Sequence, residues 1–360
     1  MKTSKYLLLY LFTGFIIVAC KEDEILINGE TSMVNIPSKI DQTVTQSIKM
    51  QDYHIGDFNA VRDSIMVSWI PNDSEAFFYV HNINNGLFLG KYCFVGRGKD
   101  ETTAASPIFQ IFEENNELKA YVNFHNERVI YIWNISKSIK QRTTIFEQSV
   151  PIIRKNAAFN EIFKGKGSTC VCYALPRALT INADMASLPY FIQLEYETGE
   201  IIKEFTIFKG KEYIIGDPQK LPLPEEYLRS FNCMNQAKNK IAMAMIISGQ
   251  IIILDIEDGS IYCSQIQGSN SFDQFKGSMK DIKVYFTGIQ CDENFIYALY
   301  SGKPYDEAWS GTNQIFVFDW NGKIIKNIIM PETIKAFCAY NGIIYTFDEK
   351  TDSLYKFKIN

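Results

Sequence analysis

An apolar run of strand length, a turn built on Gly and a second apolar run recur along this chain. That recurrence limits its possible folds more than any other feature. The clearest copy is IIILDIEDGSIY at Ile251–Tyr262. FFYVHNINNGLFL begins at Phe77, VIYIWNISKSIK at Val129, FIQLEYETGEII at Phe191 and IFVFDWNGKII at Ile315, and a truncated copy, SLYKFKIN, starts at Ser353. A short apolar run closed by such a turn and followed by another reads as a β-hairpin. The six copies start 52, 62, 60, 64 and 38 residues apart. Each interval holds room for further strands, as Leu228–Met234 and Lys240–Ile247 show before Ile251. Four-stranded units repeated four to eight times are the signature of a β-propeller. The predicted fold is all-β, a six-bladed propeller of four-stranded antiparallel blades.

The strands are apolar along their whole length, as in FIYALY at Phe295–Tyr300 and IAMAMII at Ile241–Ile247. A strand with one wet face would alternate apolar with polar. A blade is covered on both faces by its neighbours, so continuous apolar runs suit it. Two stacked sandwiches would fit the length, but sandwiches do not repeat one hairpin at such intervals. The last copy lacks a fourth strand. Val44–Met50, VTQSIKM, is the candidate to supply it and close the ring, which places the propeller at residues 44–360.

Residues 1–20 read as a signal segment. Lys2 and Lys5 form a basic start, and the apolar stretch Tyr6–Ala19 is too short to span a bilayer. It ends Ile17-Val18-Ala19-Cys20, which resembles the lipobox of bacterial lipoproteins, with Cys20 the lipidated residue. Lys21-Glu22-Asp23-Glu24 follows and resembles the surface-export signal of Bacteroidetes lipoproteins. The expected address is the outer membrane, lipid-anchored and facing the cell surface. Residues 21–43 have no repeat match and read as a flexible tether.

Loss of Lys2 and Lys5 with the signal would move the formal net charge from −5 to −7. No basic run accompanies it, so nucleic acid is not an expected partner. The cysteines after Cys20 are Cys93, Cys170, Cys172, Cys233, Cys263, Cys291 and Cys338, all in or beside predicted strands. They read as small buried hydrophobes rather than disulfides. Cys170 and Cys172 lack a histidine cluster to complete a metal site, His54, His81 and His125 being the only histidines. No metal, cofactor or catalytic residue is assigned. Neither H-E-x-x-H nor G-x-S-x-G occurs, and the P-loop-like Gly86–Tyr92 is one residue short and lies in a hairpin.

In a four-stranded antiparallel blade, the 2–3 loops and the connections between blades share one face. The long segments Gly96–Pro107, Ala174–Pro189, Lys209–Glu226, Gln267–Lys280 and Ser301–Gln314 all fall there. Loops held by a rigid scaffold commonly carry function. Pro304–Trp309 mixes aromatics with carboxylates, as sugar and peptide sites do. The candidate ligand-binding residues are Arg97, Arg177, Asp184, Tyr305, Asp306, Glu307 and Trp309.

Phe94-Val95-Gly96-Arg97-Gly98-Lys99-Asp100-Glu101 after the first hairpin, and the E-T-G-E-I-I-K hairpin within Tyr196–Lys203, support a family resemblance. The chain resembles the six-bladed TolB-like, or NHL-like, β-propeller lipoproteins of Bacteroidetes over residues 44–360. It departs from the family's G-R-G-P-G-E-F connection at Lys99, Asp100 and Thr102. The resemblance implies the architecture and a binding scaffold, and no catalytic residue. The expected function is a non-catalytic envelope lipoprotein presenting its long-loop face to a glycan, peptide or partner protein. The alternatives are a lactonase-like hydrolase or lyase with a metal at the channel mouth, and a structural subunit of an envelope complex.

Overall fold

A computed structural model describes residues 26–38, 44–51, 56, 58–98, 101–124, 129–151, 161–174, 190–209, 228–269, 282–348 and 351–359. Six antiparallel sheets form a ring of blades, each written from its inner strand outward. Blade 1 is Phe58–Arg62, Ile65–Trp69, Ala76–Asn82 and Phe88–Phe94, and blade 2 is Ile111–Glu114, Glu117–Phe124, Val129–Asn134 and Phe146–Pro151. Blade 3 is Ile162–Lys164, Thr169–Tyr173, Phe191–Glu195 and Ile201–Phe205, and blade 4 is Ser230–Met234, Lys240–Met245, Gln250–Asp255 and Ile261–Ile266. Blade 5 is Lys283–Cys291, Phe295–Pro304, Thr312–Asp319 and Ile324–Ile334. Blade 6 is Phe337–Tyr340, Ile343–Asp348, Ser353–Lys358 and, from the other end of the chain, Val44–Lys49. That last pairing runs in continuous register from Ser353↔Lys49 to Lys358↔Val44, so the N-terminal strand closes the ring as the truncated sixth repeat required.

The continuous apolar runs are explained by two buried faces per strand. In FIYALY, Tyr297 and Leu299 pack toward blade 6, while Ile296, Ala298 and Tyr300 pack toward blade 4. Alternate residues of a strand point to opposite faces, and here both faces are covered. A separate buried cluster fills each of the six interfaces between neighbouring blades, from blades 1 and 2 round to blades 6 and 1. Cys170 and Cys172 share the blade 2–3 interface, as their i, i+2 spacing demands. The seven described cysteines are unbonded.

The hairpin turns follow their side chains. Asn82, Asp255 and Asp319 each accept a backbone N–H from two residues ahead, at 2.9, 2.9 and 3.0 Å. The chain then turns back through Gly86, Gly259 and Gly322 at φ of 73°, 83° and 79°, a region costly for any side chain. The copy at Val129 has no such Gly and departs from the hairpin pattern. Its strand ends in the helix Ile135–Gln141, capped by the Asn134 side chain on the Lys137 N–H at 2.8 Å. Strand pairing resumes at Phe146. Ile135 and Ile139, four residues apart, face the core together.

The expected tether requires correction within residues 26–37. Leu26–Ile27 pairs with Phe208–Lys209 beyond blade 3. Glu30–Val34 adds a fifth, parallel strand to the outer edge of blade 4, with Ser32 Oγ 2.6 Å from the Tyr262 hydroxyl. The Pro37 carbonyl accepts the Asn327 side-chain N–H of blade 5 at 2.9 Å. The segment therefore runs as a belt over the outer rim of blades 3, 4 and 5 before entering blade 6. Ile27 is buried in the blade 3–4 cluster. Gly29 passes so close to Ile261 that a Cβ would stand 2.2 Å from its carbonyl oxygen.

Candidate functional site

The inner strands leave a central channel that divides into a wide chamber on the long-loop face and a narrow throat at the other end. Phe109, Cys233 and Gln290 border both. The chamber has a volume of about 410 Å³, within the usual range for small-molecule sites. Five aromatic rings wall it, those of Phe58, Phe109, Phe231, Phe337 and Trp309. Each of the four Phe comes from the inner strand of its blade or the approach to it, and Trp309 reaches in from the 2–3 connection of blade 5. Asn59, Asn232, Thr287 and Gln290 supply the polar groups, and Lys335 is the only charged residue among the described lining residues.

The sequence candidates divide. Trp309 lines the chamber and remains 41% exposed. Tyr305 meets it edge to face, ring centroids 6.0 Å apart, with its backbone N–H tied to the Ile282 carbonyl at 2.9 Å. The expected 301–314 loop is shorter than its composition suggests. Strand pairing continues to Pro304 and restarts at Thr312, leaving a one-turn helix, Tyr305–Ala308, to aim Trp309 inward. Asp306 and Glu307 lie on the exposed side of that turn. Arg97 sits on the same face but outside the lining, in a loop closed by the Glu101 carboxylate on the Gly98 N–H at 2.8 Å. Arg177 and Asp184 lie outside the described residues, as do Cys20, Lys21, Glu22, Asp23 and Glu24.

Behind the chamber wall stands a polar chain invisible in the sequence. Asn232 donates its side-chain N–H to Glu161 at 2.9 Å and accepts from the Ser230 hydroxyl at 2.8 Å. Tyr190 lies 3.2 Å from Ser230 Oγ and donates to the Leu228 carbonyl, and Tyr173 donates to Tyr190 at 3.3 Å. Burial pushes the Glu161 carboxyl up to about 8, against the lowering effect of the Asn232 hydrogen bond. It is therefore a neutral acid at pH 7. The other buried acid of the inner strands, Asp292, accepts from Asn294 N, Phe295 N, the Tyr297 hydroxyl and Gly342 N, all at 2.7–2.9 Å. It ties blade 5 to blade 6. Burial, then contact with Cys291, raises the Cys233 thiol well above its ordinary value, which makes it an apolar wall group rather than a nucleophile. No carboxylate or histidine lines the described chamber, and no group of three or more His, Cys, Asp or Glu among the described residues could hold a metal ion. The arrangement is suited to enclosing an apolar group beneath a few amides.

One sequence signal could have located the chamber. Phe58-Asn59 and Phe231-Asn232 repeat one dipeptide in the inner strands of blades 1 and 4, on opposite sides of the ring.

The family described as TolB-like 6-blade propeller-like matches residues 41–342. No curated protein matches the sequence. Among solved structures, the chain is similar to a protein of Bacteroides fragilis described as exported, at TM-score 0.58 and 11% identity, covering 92% of this chain and 99% of that one. It is also similar to a DUF4221 family member from Bacteroides vulgatus, at TM-score 0.57 and 13% identity, covering 94% and 99%.

Proposed function

The chain belongs to the TolB-like 6-blade propeller-like family, and on that premise we propose that it is a non-catalytic binding scaffold anchored on the cell envelope. Its ligand inserts an apolar or aromatic group into the central chamber from the long-loop face. The observation that carries this reading is the five-ring wall with Trp309 half exposed at its mouth. Aromatic side chains in a water-excluding pocket dominate recognition energies. A peptide or partner-protein side chain fits this wall better than a glycan, because the described lining residues offer rings and amides but no carboxylate to accept sugar hydroxyls. The exposed Asp306 and Glu307 beside Trp309 favour a ligand with basic groups flanking its apolar tip.

Trp309→Ala is expected to weaken such a ligand on the order of tenfold or more, since a central aromatic anchor commonly contributes above about 2 kcal/mol. The melting temperature should change little, because the ring is partly in water already. Titrating apolar-tipped, base-flanked peptides against the intrinsic fluorescence of both proteins checks this. Equal affinities would place the site elsewhere.

The envelope address rests on the lipobox-like motif at Cys20, on the Lys21–Glu24 run, and on a structural neighbour described as exported. Five residues separate Cys20 from Leu26, where the belt begins. At roughly 3.5 Å per residue that span reaches about 20 Å at most. The lipid would therefore hold the blade 3–4 rim close to the membrane rather than at the end of a long tether. Cys20→Ala should release the protein from membranes and abolish lipid labelling. Unchanged fractionation and labelling would refute the anchor.

A further inference from the structure

The three most exposed of the large apolar side chains described are Met33 at 59%, Ile202 at 54% and Ile201 at 46%. Single exposed apolar residues are ordinary on a protein surface, but these three belong to one stretch of rim. Ile201 and Ile202 open the outer strand of blade 3, Ile201–Phe205, and Met33 lies in Glu30–Val34, the belt strand on the outer edge of blade 4. Val34 packs against the blade 4–5 cluster. Successive side chains of a strand point to opposite faces, so Met33 stands on the side of blade 3.

Strand edges are commonly blunted by a covering strand or an outward charge. The belt covers the edge of blade 4, whereas no strand pairs with the outer edge of Ile201–Phe205 among the described residues. Pairing of that strand with Phe191–Glu195 skips Ile202, so the edge bulges there. Lys203, the next residue, turns its ammonium to the Ile256 and Glu257 carbonyls of blade 4, at 3.3 and 3.0 Å. That draws its charge away from the edge and leaves the two isoleucines in water.

The same boundary receives the N-terminal segment. Ile27 is buried between blades 3 and 4, and the Asn28 N–H donates to the Ile207 carbonyl at 2.8 Å, which fixes the start of the belt to the ring. On the reading of Cys20 as the lipidated residue, on which this inference rests, five residues lead from the lipid to Leu26. They reach about 20 Å at most, so the surface that this rim faces is the bilayer.

We propose that the blade 3–4 rim docks on the membrane, with Ile201, Ile202 and Met33 among the lipid headgroups. Apolar side chains at such a boundary sit about 5–10 Å deep. Glu200 and Glu204 are exposed on either side of the isoleucines, which fits a zwitterionic lipid surface better than an anionic one. The ring then stands on its rim, and both ends of the channel open to water.

The full lipidated chain in phosphatidylcholine vesicles tests this, with a polarity-sensitive dye on Ile202→Cys, on Met33→Cys or, in blade 1 across the ring, on Phe94→Cys. The labelled parent accounts for Cys291, which is half-buried. Emission at 202 and 33 should shift to the blue and be quenched by brominated lipid, and emission at 94 should do neither. Ile201→Ser with Ile202→Ser should weaken the shift at 33. Lipid on Cys20 with the three dyes responding alike overturns the docked rim and leaves the anchor standing, and a Cys20 without lipid overturns both. A shift at 202 that grows with protein concentration in the absence of vesicles assigns the rim to a second copy of the chain and overturns the lipid contact. All three labelled side chains are exposed, so the variants keep the fold.

Discussion

Deleting residues 21–51 should abolish cooperative thermal unfolding, deleting 21–38 should lower the melting temperature while keeping one transition, and deleting 21–25 should leave it unchanged. The order of the two larger deletions follows from what residues 26–38 and 44–51 touch. Residues 44–49 form the outer strand of blade 6, in register with Ser353–Lys358, and Met50 is buried between blades 6 and 1 with Ile48 packed beside it. The Met50 and Gln51 N–H groups then bond to the Asp352 and Gly86 carbonyls at 3.0 and 2.9 Å, joining the last blade to the first. Without this segment the outer edge of Ser353–Lys358 is unpaired and an interface between blades is opened. The belt of residues 26–37 contributes less. It buries Ile27 and packs Val34, each worth about 1.5–3 kcal/mol at most, and covers one edge of a blade that is already complete. Differential scanning calorimetry of the three truncations decides it. Equal melting temperatures for the 21–38 and 21–51 deletions would refute closure by Val44–Lys49.

Glu161→Gln should raise stability at pH 8 and flatten its dependence on pH between about 5 and 8. The carboxyl is pushed up to about 8 in the fold by burial between blades 3 and 4. In the unfolded chain it titrates near 4.3. Between those values the native state holds a proton that the unfolded state has lost, so stability falls as pH rises through the window. The contribution is fully present below the unfolded value and is lost by about pH 8. At 1.36 kcal/mol per unit, the loss amounts to several kcal/mol, on the order of 3–5. Gln keeps the shape and the acceptor that Asn232 uses at 2.9 Å, and carries no proton to lose. Urea midpoints of both proteins at pH 5, 6.5 and 8 measure the effect. Parallel curves would mean that Glu161 keeps its ordinary acidity.

Much of the ring was legible because each blade states its own hydrogen-bonding solution locally. Asp255–Gly259 turns whatever surrounds it, since its Asp side chain and its Gly supply the bond and the dihedral angle. FIYALY announces two dry faces by having no polar alternation. The truncated copy at Ser353 required a strand from elsewhere, and VTQSIKM was the apolar-alternating stretch available. Trp309 was found by composition on a face fixed by strand order. The belt was not legible. ETSMV at Glu30–Val34 has little apolar pattern of its own, and pairs in parallel with a strand more than 200 residues away, so its signal lies in an edge that exists only after blade 4 has formed.

The sequence by itself determined the repeated four-stranded unit, the number of blades, the segment that closes the ring and the face bearing the long connections. These depend on residues within a few positions of one another, or on counting units. Only the tertiary structure decided which residues meet across the channel. Phe58, Phe231 and Phe337 occupy similar positions in three blades, and they line one chamber because the ring closes at six. Glu161 is a surface residue by type, and becomes a neutral acid only when blades 3 and 4 pack over it. Arg62 and Gln236, far apart along the chain, line one throat in the fold. They meet because strands from opposite sides of a closed ring converge on one axis.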